Sequence, residues 1–270
     1  MENKFCDINK WLADSGPLAI AVSGGVDSMV LAVLAHRACP ESVIFHAVSP
    51  AVPPVATERV KQHATDFGWN LQIIDAGEFD DEDYVNNPVN RCFYCKLNLY
   101  TVISKHTNLT IVSGTNCDDL SDYRPGLEAA DKVAVQHPWV EAGYHKKQIR
   151  ELAHELGLHE VGELPASPCL SSRIETGISI DPIILPLVDD VEEYIRNKYK
   201  VETVRCRIRH EGVVIELGEK ISDQETCKQI LEFTKKHFKS AGYNYQVTLD
   251  SYQMGSAFLT DESKQPSFKK

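Results

Sequence analysis

The feature that most constrains this chain is the run Leu18-Ala19-Ile20-Ala21-Val22 followed directly by Ser23-Gly24-Gly25-Val26-Asp27-Ser28. Five apolar residues in succession suit a short central strand. Met29-Val30-Leu31-Ala32-Val33-Leu34-Ala35 then continues as a helix, so the glycine loop falls at a strand-to-helix turn. Such a turn attracts anions. The unpaired N–H groups and the positive dipole end of the helix favour negative charge, Gly24 and Gly25 leave room for it, and Ser23 and Ser28 add hydroxyl donors. Asp27 is the exception in a phosphate site. A carboxylate there repels phosphate unless a cation intervenes, which makes Asp27 a candidate magnesium ligand or hydroxyl partner. Gly-Gly followed by Asp-Ser also makes ordinary helix caps, so spacing alone leaves both readings open.

Neither Gly-x-x-x-x-Gly-Lys-Ser/Thr nor Gly-x-Gly-x-x-Gly occurs in the chain. Ser-Gly-Gly-Val-Asp-Ser instead resembles the PP-loop of the ATP pyrophosphatase superfamily, whose members cleave ATP between the α and β phosphates and adenylate a substrate.

Size and charge narrow what such a loop could serve. With 270 residues, 43% hydrophobic and 25% charged, the chain can build one large or two modest soluble domains. No apolar run reaches membrane-spanning length, and residues 1–7 lack the apolar core of a signal peptide, so a cytoplasmic protein is expected. The formal net charge of −11 disfavours a broad nucleic-acid surface, because Lys and Arg supply most of that affinity. A small-molecule substrate fits better.

Eight cysteines in a cytoplasmic chain point to metal or thiol chemistry more than to disulfides. Cys6, Cys39, Cys117, Cys206 and Cys227 are scattered singly, as small buried hydrophobes are. The other three stand in Arg91-Cys92-Phe93-Tyr94-Cys95-Lys96 and in the turn-rich segment Pro165-Ala166-Ser167-Pro168-Cys169. A Cys-x-x-Cys pair serves as a redox dithiol, as half of a zinc site or as part of an iron–sulfur site. No second pair completes a four-ligand zinc site. Three thiolates suit a cluster with one open iron, but spacing alone favours a catalytic or structural dithiol, because nothing in the sequence brings Cys169 to the pair.

Strand and helix alternate over the first 160 or so residues in the manner of a parallel sheet covered on both faces. Strands are predicted at 42–48, 70–75 and 109–115, and helices at 56–67, closed by Gly68, and 95–105. The acidic run 78–83 reads as a solvated loop. Asn116-Cys117-Asp118-Asp119 forms the turn after the strand at 109–115, where ligands of such sheets bind, so Asp118 and Asp119 are candidates for magnesium or substrate contact or for helix capping. A helix over 147–156 ends at Gly157, and Lys146 and Arg150 share one face of it, either as solvated cations or as a basic edge above phosphates.

From about residue 177 the order changes to helix, strand, strand, helix, strand, with helices at 187–197 and 223–238 and strands at 201–209, 213–217 and 245–249. The tail after Thr260 reads as frayed. Two domains are therefore expected, residues 1–176 and residues 177–270. Arg205, Arg207 and Arg209 alternate along one strand and share a face. They suit a bound phosphate, or else a face neutralised by Glu192, Glu193, Glu202 or Glu216.

Over nearly its whole length the chain resembles the LarE family, ATP-dependent sulfur transferases that mature the nickel-pincer nucleotide cofactor. The resemblance rests on Ser23 to Ser28, Gly114-Thr115-Asn116 with Asp118-Asp119, Asp122-Tyr123-Arg124-Pro125-Gly126-Leu127, Lys146 with Arg150, Pro165-Ala166-Ser167 with Cys169-Leu170, and Ser172-Arg173. It implies an α/β fold, a parallel-sheet PP-loop domain of the adenine nucleotide alpha-hydrolase type with a smaller α+β C-terminal domain. It implies ATP binding by Ser23, Gly24, Gly25, Asp27, Ser28, Gly114 and Arg124, with magnesium on Asp27.

Cys169 matches the family's sulfur-handling cysteine, which in one version of the chemistry is sacrificed to dehydroalanine. In the other version a Cys-x-x-Cys pair joins it to hold a [4Fe-4S] cluster whose free iron carries sulfide. Because this chain has all three thiols, the resemblance implies Cys92, Cys95 and Cys169 as cluster ligands and an enzyme that turns over. The implied reaction adenylates a carboxylate of pyridinium-3,5-biscarboxylic acid mononucleotide and converts it to a thiocarboxylate, with Arg205 and Arg207 on the substrate phosphate. The expected partners are this nucleotide, sulfide or a sulfur donor, and further copies of the chain in a homo-oligomer, with no membrane and no nucleic acid. A cluster-dependent PP-loop tRNA thiolase is the rival enzyme, and a non-enzymatic metal-cluster or redox module the rival from another class.

Overall fold

The apolar run after Gly16 forms strand β1 (Leu18–Ala21), buried along its whole length. In a computed structural model that describes residues 7–121, 125–165, 168–218, 221 and 223–253, β1 follows helix α1 (Ile8–Ser15) and leads into helix α2 (Val26–Ala38). Every residue of α2 from Ser28 to Ala35 is buried, so this helix is enclosed on all sides, as its uninterrupted apolar sequence requires.

Three further strands, β2 (Val43–Ala47), β3 (Asn70–Ile74) and β4 (Thr110–Ser113), join β1 in one sheet of order β3-β2-β1-β4, all parallel. Ile20 is level with Ile44 on one side and Val112 on the other. Side chains alternate across β1. Leu18, Ile20 and Val22 pack with α2, while Ala19 and Ala21 pack with Phe45, Tyr100 and Ile111 on the opposite face. The chain winds outward from β1 through β2 to β3, then returns to place β4 on the other side of β1. That reversal puts a crevice at the carboxyl ends of β1 and β4, the place where open parallel sheets bind ligands.

Helix α3 (Pro54–Phe67) crosses between β2 and β3 and ends at Gly68, whose φ of +67° is the left-handed C-cap conformation glycine adopts without strain. Between β3 and β4 lie the four-residue α4 (Glu82–Val85) and the long α5 (Arg91–His106). The acidic run here departs from the solvated loop expected of it: Glu78 is buried in a 3₁₀ turn (Glu78–Asp80), and Asp81 accepts a hydrogen bond of 2.6 Å from Asn98 of α5. Helix α5 also starts four residues before the expected Cys95. After β4 come a 3₁₀ turn (Cys117–Ser121), α6 (Pro125–Lys132), α7 (Pro138–Glu141), α8 (Lys146–Glu155) and α9 (His159–Gly162).

The chain divides into two compact units, Met1–Asp81 with Asn90–Pro168 and Glu82–Val89 with Cys169–Lys270. In the second unit a 3₁₀ turn (Leu170–Arg173) precedes α10 (Ile184–Tyr199), β5 (Val204–Arg209), β6 (Gly212–Leu217), α11 (Gln224–Ser240) and β7 (Val247–Ser251). Strands β5 and β6 are antiparallel, and β7 adds parallel to β6. The segment around α4 is tied into this unit by Asn87, whose buried amide donates to the carbonyls of Glu175 at 2.8 Å and Ile178 at 2.9 Å. The architecture is thus the expected α/β fold with a parallel sheet and a further small α+β sheet. The tail after Thr260 lies outside the described residues. Among the described residues no helix is long and apolar enough to cross a membrane.

Candidate functional site

The loop between β1 and α2 is built by its own serines. The Ser28 hydroxyl donates to the Gly25 carbonyl at 3.1 Å and accepts from the backbone N–H of Ser23 at 3.1 Å, and the Ser23 and Ser28 hydroxyls lie 3.2 Å apart. Gly25 is the N-cap of α2 and has no side chain to cap it. The first-turn N–H groups of this helix therefore keep their capacity to bind an anion.

The two glycines on either side of the crevice are required by space. Gly24 has φ of +82°, and a Cβ there would stand 2.9 Å from the Ala56 carbonyl oxygen of α3. Gly114, just past β4, lies against the first turn of α2, where a Cβ would stand 2.7 Å from the backbone nitrogen of Ser28. Gly114 thus shapes the loop by close packing, with no side chain to offer a ligand.

Asp27 is where the electrostatics concentrate. Its carboxylate, 19% exposed, accepts from the Lys146 ammonium at 3.2 Å and from the Asn116 amide at 3.2 Å. The cation that a carboxylate needs beside an anion loop is therefore already supplied by α8. The Asp27 carbonyl accepts from the indole N–H of the fully buried Trp139 at 3.0 Å, fixing the backbone beneath it.

Asn116 and Asp118 carry this arrangement from β4 to α8. The Asn116 side-chain oxygen accepts from the Asp118 N–H at 2.9 Å, and the Asn116 N–H donates to Asp119 at 3.2 Å. Asp118 takes the His145 Nδ1 at 2.7 Å and the Lys146 backbone N–H at 2.7 Å. These bonds, from the His145 ring first and the Lys146 backbone second, hold its carboxyl below the usual range. Asp118 is thus engaged at the N-terminus of α8, 28 residues further along the chain.

Lys146 and Arg150, neighbours on α8, go to different tasks. Lys146 reaches Asp27, whereas Arg150 donates to the carbonyls of Gly162 and Leu164 and braces the end of α9. Sequence reasoning missed Arg59 of α3. Its guanidinium donates to the Gly24 carbonyl at 2.8 Å, and burial lowers its pKa from the ordinary arginine value. Only its position one turn into a helix following β2 hinted at it.

Cys92 and Cys95 are half-buried thiols in the first two turns of α5, three residues apart and so on one face. Cys169 is a half-buried thiol at the N-cap of the 3₁₀ turn in the second unit, where its carbonyl accepts from Arg173 at 3.3 Å. Among the described residues no group of three or more His, Cys, Asp or Glu side chains is gathered so as to hold a metal ion. Of the scattered cysteines, Cys206 is buried, which pushes its thiol well above the ordinary value, while Cys6 lies outside the described residues.

On β5, Arg207 donates to Glu216 at 2.7 Å and to the Ser172 carbonyl at 3.1 Å, and Arg209 donates to the other oxygen of Glu216 at 2.7 Å. Arg205 donates to the Val204 carbonyl at 2.8 Å and lies over the Tyr252 ring. Burial, followed by the nearby Arg173, lowers its pKa from the ordinary value. Arg124, with Asp122 and Tyr123, lies outside the described residues, as do Ala166 and Ser167.

No family model matches the chain. An uncharacterised protein of Synechocystis sp. is 31% identical over 262 residues, which is 94% of this chain and 97% of that protein. The pyridinium-3,5-bisthiocarboxylic acid mononucleotide synthase of Lactiplantibacillus plantarum is 28% identical over 257 residues, 93% of this chain and 91% of the synthase. One subunit of the glutamine-hydrolysing GMP synthase of Thermococcus kodakarensis is 30% identical over 178 residues, 59% of this chain and 57% of that polypeptide.

Proposed function

The chain belongs to the LarE-like family of PP-loop proteins, and on that premise we propose that it is an ATP-dependent sulfur transferase acting on a nucleotide carboxylate. The observation that carries this reading is the Asp27 carboxylate in the first turn of α2, beside a helix start with no side-chain cap, paired with Lys146 and Asn116. Lys146 and Asn116 hold this carboxylate beside N–H groups that no side chain caps, so a cation and anion-binding donors converge at one helix start.

In the proposed reaction the ATP phosphates lie on the N-terminus of α2, where the Gly25-region N–H groups and the Ser23 and Ser28 hydroxyls donate to them. Gly24, packed on Ala56, and Gly114, packed on Ser28, hold the loop in that shape, and Arg124 belongs to the same proposed ATP site. A substrate carboxylate oxygen attacks the α phosphorus, the bond to the β-phosphate oxygen breaks, and pyrophosphate leaves. Lys146 stabilises the charge that builds on the leaving group. Asp27 is the residue that would hold magnesium, which when bound neutralises the same pyrophosphate.

Adenylation matters because a carboxylate has only oxide as a leaving group. The acyl adenylate has AMP. Sulfide adds to its carbonyl carbon, the carbon–oxygen bond to AMP breaks, and a thiocarboxylate results. The substrate proposed is pyridinium-3,5-biscarboxylic acid mononucleotide, with its phosphate on Arg205 and Arg207.

The finer form of the reading gives Cys92, Cys95 and Cys169 a [4Fe-4S] cluster, which when bound would supply sulfide without consuming Cys169. Its support is the pair of thiols on one face of α5. Iron and acid-labile sulfide measured on anaerobically purified protein, with alanine at each cysteine, test it; zinc without iron counts against it.

The adenylation itself is tested by ATP–pyrophosphate exchange. Exchange that requires the biscarboxylate and is lost in Asp27→Asn is expected. Exchange that ignores the carboxylate, or is unchanged in Asp27→Asn, would overturn the reading.

A further inference from the structure

A pair of histidines lies at the corner between α8 and α9, apart from the loop and Asp27. The Nδ1 atoms of His154 and His159 are 3.2 Å apart, with ring centroids 5.4 Å apart and planes inclined by 39°. The other ring nitrogen of His154, Nε2, lies 3.0 Å from a carboxylate oxygen of Glu163. A carboxylate only accepts, so the neutral His154 ring carries its proton at Nε2 and turns the lone pair of Nδ1 toward His159. The ring is also held by its floor. A Cβ on Gly162 would stand 3.0 Å from Nε2 and within 3.3 Å of two ring carbons, so a side chain at 162 would push the ring aside by a few tenths of an ångström. Arg150 fixes that floor by gripping the carbonyls of Gly162 and Leu164.

These positions match the demands of a metal ion. Two nitrogens each about 2.0–2.1 Å from a tetrahedral zinc stand roughly 3.3 Å apart. A carboxylate behind a ligating histidine, accepting from its second nitrogen, is the usual device that sets the ring's tautomer and orientation. We propose that His154 and His159 bind a divalent transition-metal ion of the zinc and copper class through their Nδ1 atoms, with Glu163 orienting His154. Water or a small ligand completes the coordination, since the site has two protein donors. Imidazole nitrogen selects this class over magnesium and calcium, which take oxygen.

With both rings neutral, the metal-free pair closes the same distance by one hydrogen bond, His159 donating from Nδ1 and His154 accepting. On metal binding His159 gives up the proton at Nδ1 and carries one at Nε2 instead, so both rings stay neutral. The ion would staple α8 to α9 in addition to the Arg150 brace.

Zinc titrated into the full-length protein, read by calorimetry and by ¹⁵N NMR of the imidazole nitrogens, tests the proposal. The wild type is expected to bind one more zinc per chain than His159→Asn, a substitution at an exposed position. The Nδ1 resonances of His154 and His159 are expected to shift together, and Glu163→Gln is expected to weaken this one site about 10- to 100-fold. Equal stoichiometry in wild type and His159→Asn, or Nδ1 resonances that zinc leaves in place, would overturn it and leave the pair as a hydrogen bond alone. Because the three cysteines are intact in every protein compared, zinc on thiols cancels in the difference.

Discussion

The ammonium of Lys146 lies 3.2 Å from the carboxylate of Asp27, joining the first residue of α8 to the first turn of α2 across 119 positions of sequence. Asn116 takes the other carboxylate oxygen. A cation set beside an anion loop can balance Asp27 before ATP arrives and the pyrophosphate charge during reaction. Lys146→Met is accordingly expected to cut kcat for ATP–pyrophosphate exchange by about 10²-fold, the usual cost of removing one donor from a developing charge. Lys146→Arg should restore part of it. Steady-state kinetics check this, with an unchanged kcat in Lys146→Met counting against the assignment.

Arg59 acts through Gly24 rather than on a reacting atom. Losing its 2.8 Å bond frees the Gly24 carbonyl and loosens the loop. Arg59→Ala is expected to raise KM for ATP about tenfold or more, the scale of a hydrogen bond to a charged group, with a smaller effect on kcat. Rescue by Arg59→Lys would be partial. A change confined to kcat would contradict a positioning role.

Much of the first unit was legible in the sequence because one physical signal sufficed for each part. An apolar run made β1, a second unbroken one made the enclosed α2, and Gly68 and Gly157 marked helix ends. The parity of Arg205, Arg207 and Arg209 on β5 was equally plain. Glu216 was among the four carboxylates expected to neutralise that face, but that it takes both Arg207 and Arg209 follows only from the register of β6. Arg59 stayed hidden for the same reason: its partner is a backbone carbonyl 35 positions away, and no side-chain pattern announces such a bond. Lys146 and Arg150 looked alike on α8, and only tertiary packing sent them to different partners.

Glu192 of α10 is fully buried and accepts two bonds of 2.9 Å from Arg173, one of 2.9 Å from the Cys206 N–H and one of 3.2 Å from Arg196. Removing the carboxylate leaves the buried Arg173 without its counterion. Glu192→Ala is expected to cost about 3–5 kcal/mol, the range for breaking a buried pair from one side. Urea denaturation measures this, and a loss below about 1 kcal/mol, typical of exposed pairs, would contradict the buried network.

Two histidines steepen the acid side of the stability profile. His46 donates from Nδ1 to the Val22 carbonyl at 2.8 Å and accepts at Nε2 from the Thr57 hydroxyl at 2.9 Å, an arrangement only the neutral ring can make. Burial pushes its pKa down, and it does the same to His137. The unfolded chain therefore takes up protons at a pH where the folded one does not. Above about pH 6.5 the two states bind alike; below it, stability falls by up to about 1.4 kcal/mol per pH unit for each histidine until the folded pKa is passed. Urea midpoints from about pH 7.5 to about pH 5.5 should decline more steeply in the wild type than in His46→Gln. Identical slopes would contradict this account of His46.

Activation of a carboxylate by ATP for attack by sulfide leaves a fixed set of products, which mass spectrometry reads in full. Protein incubated with ATP, magnesium, pyridinium-3,5-biscarboxylic acid mononucleotide and a sulfide source should yield AMP, pyrophosphate and a product with sulfur in place of a carboxylate oxygen, in equal amounts. ADP with phosphate, or AMP released with the biscarboxylate returned unchanged, would contradict it.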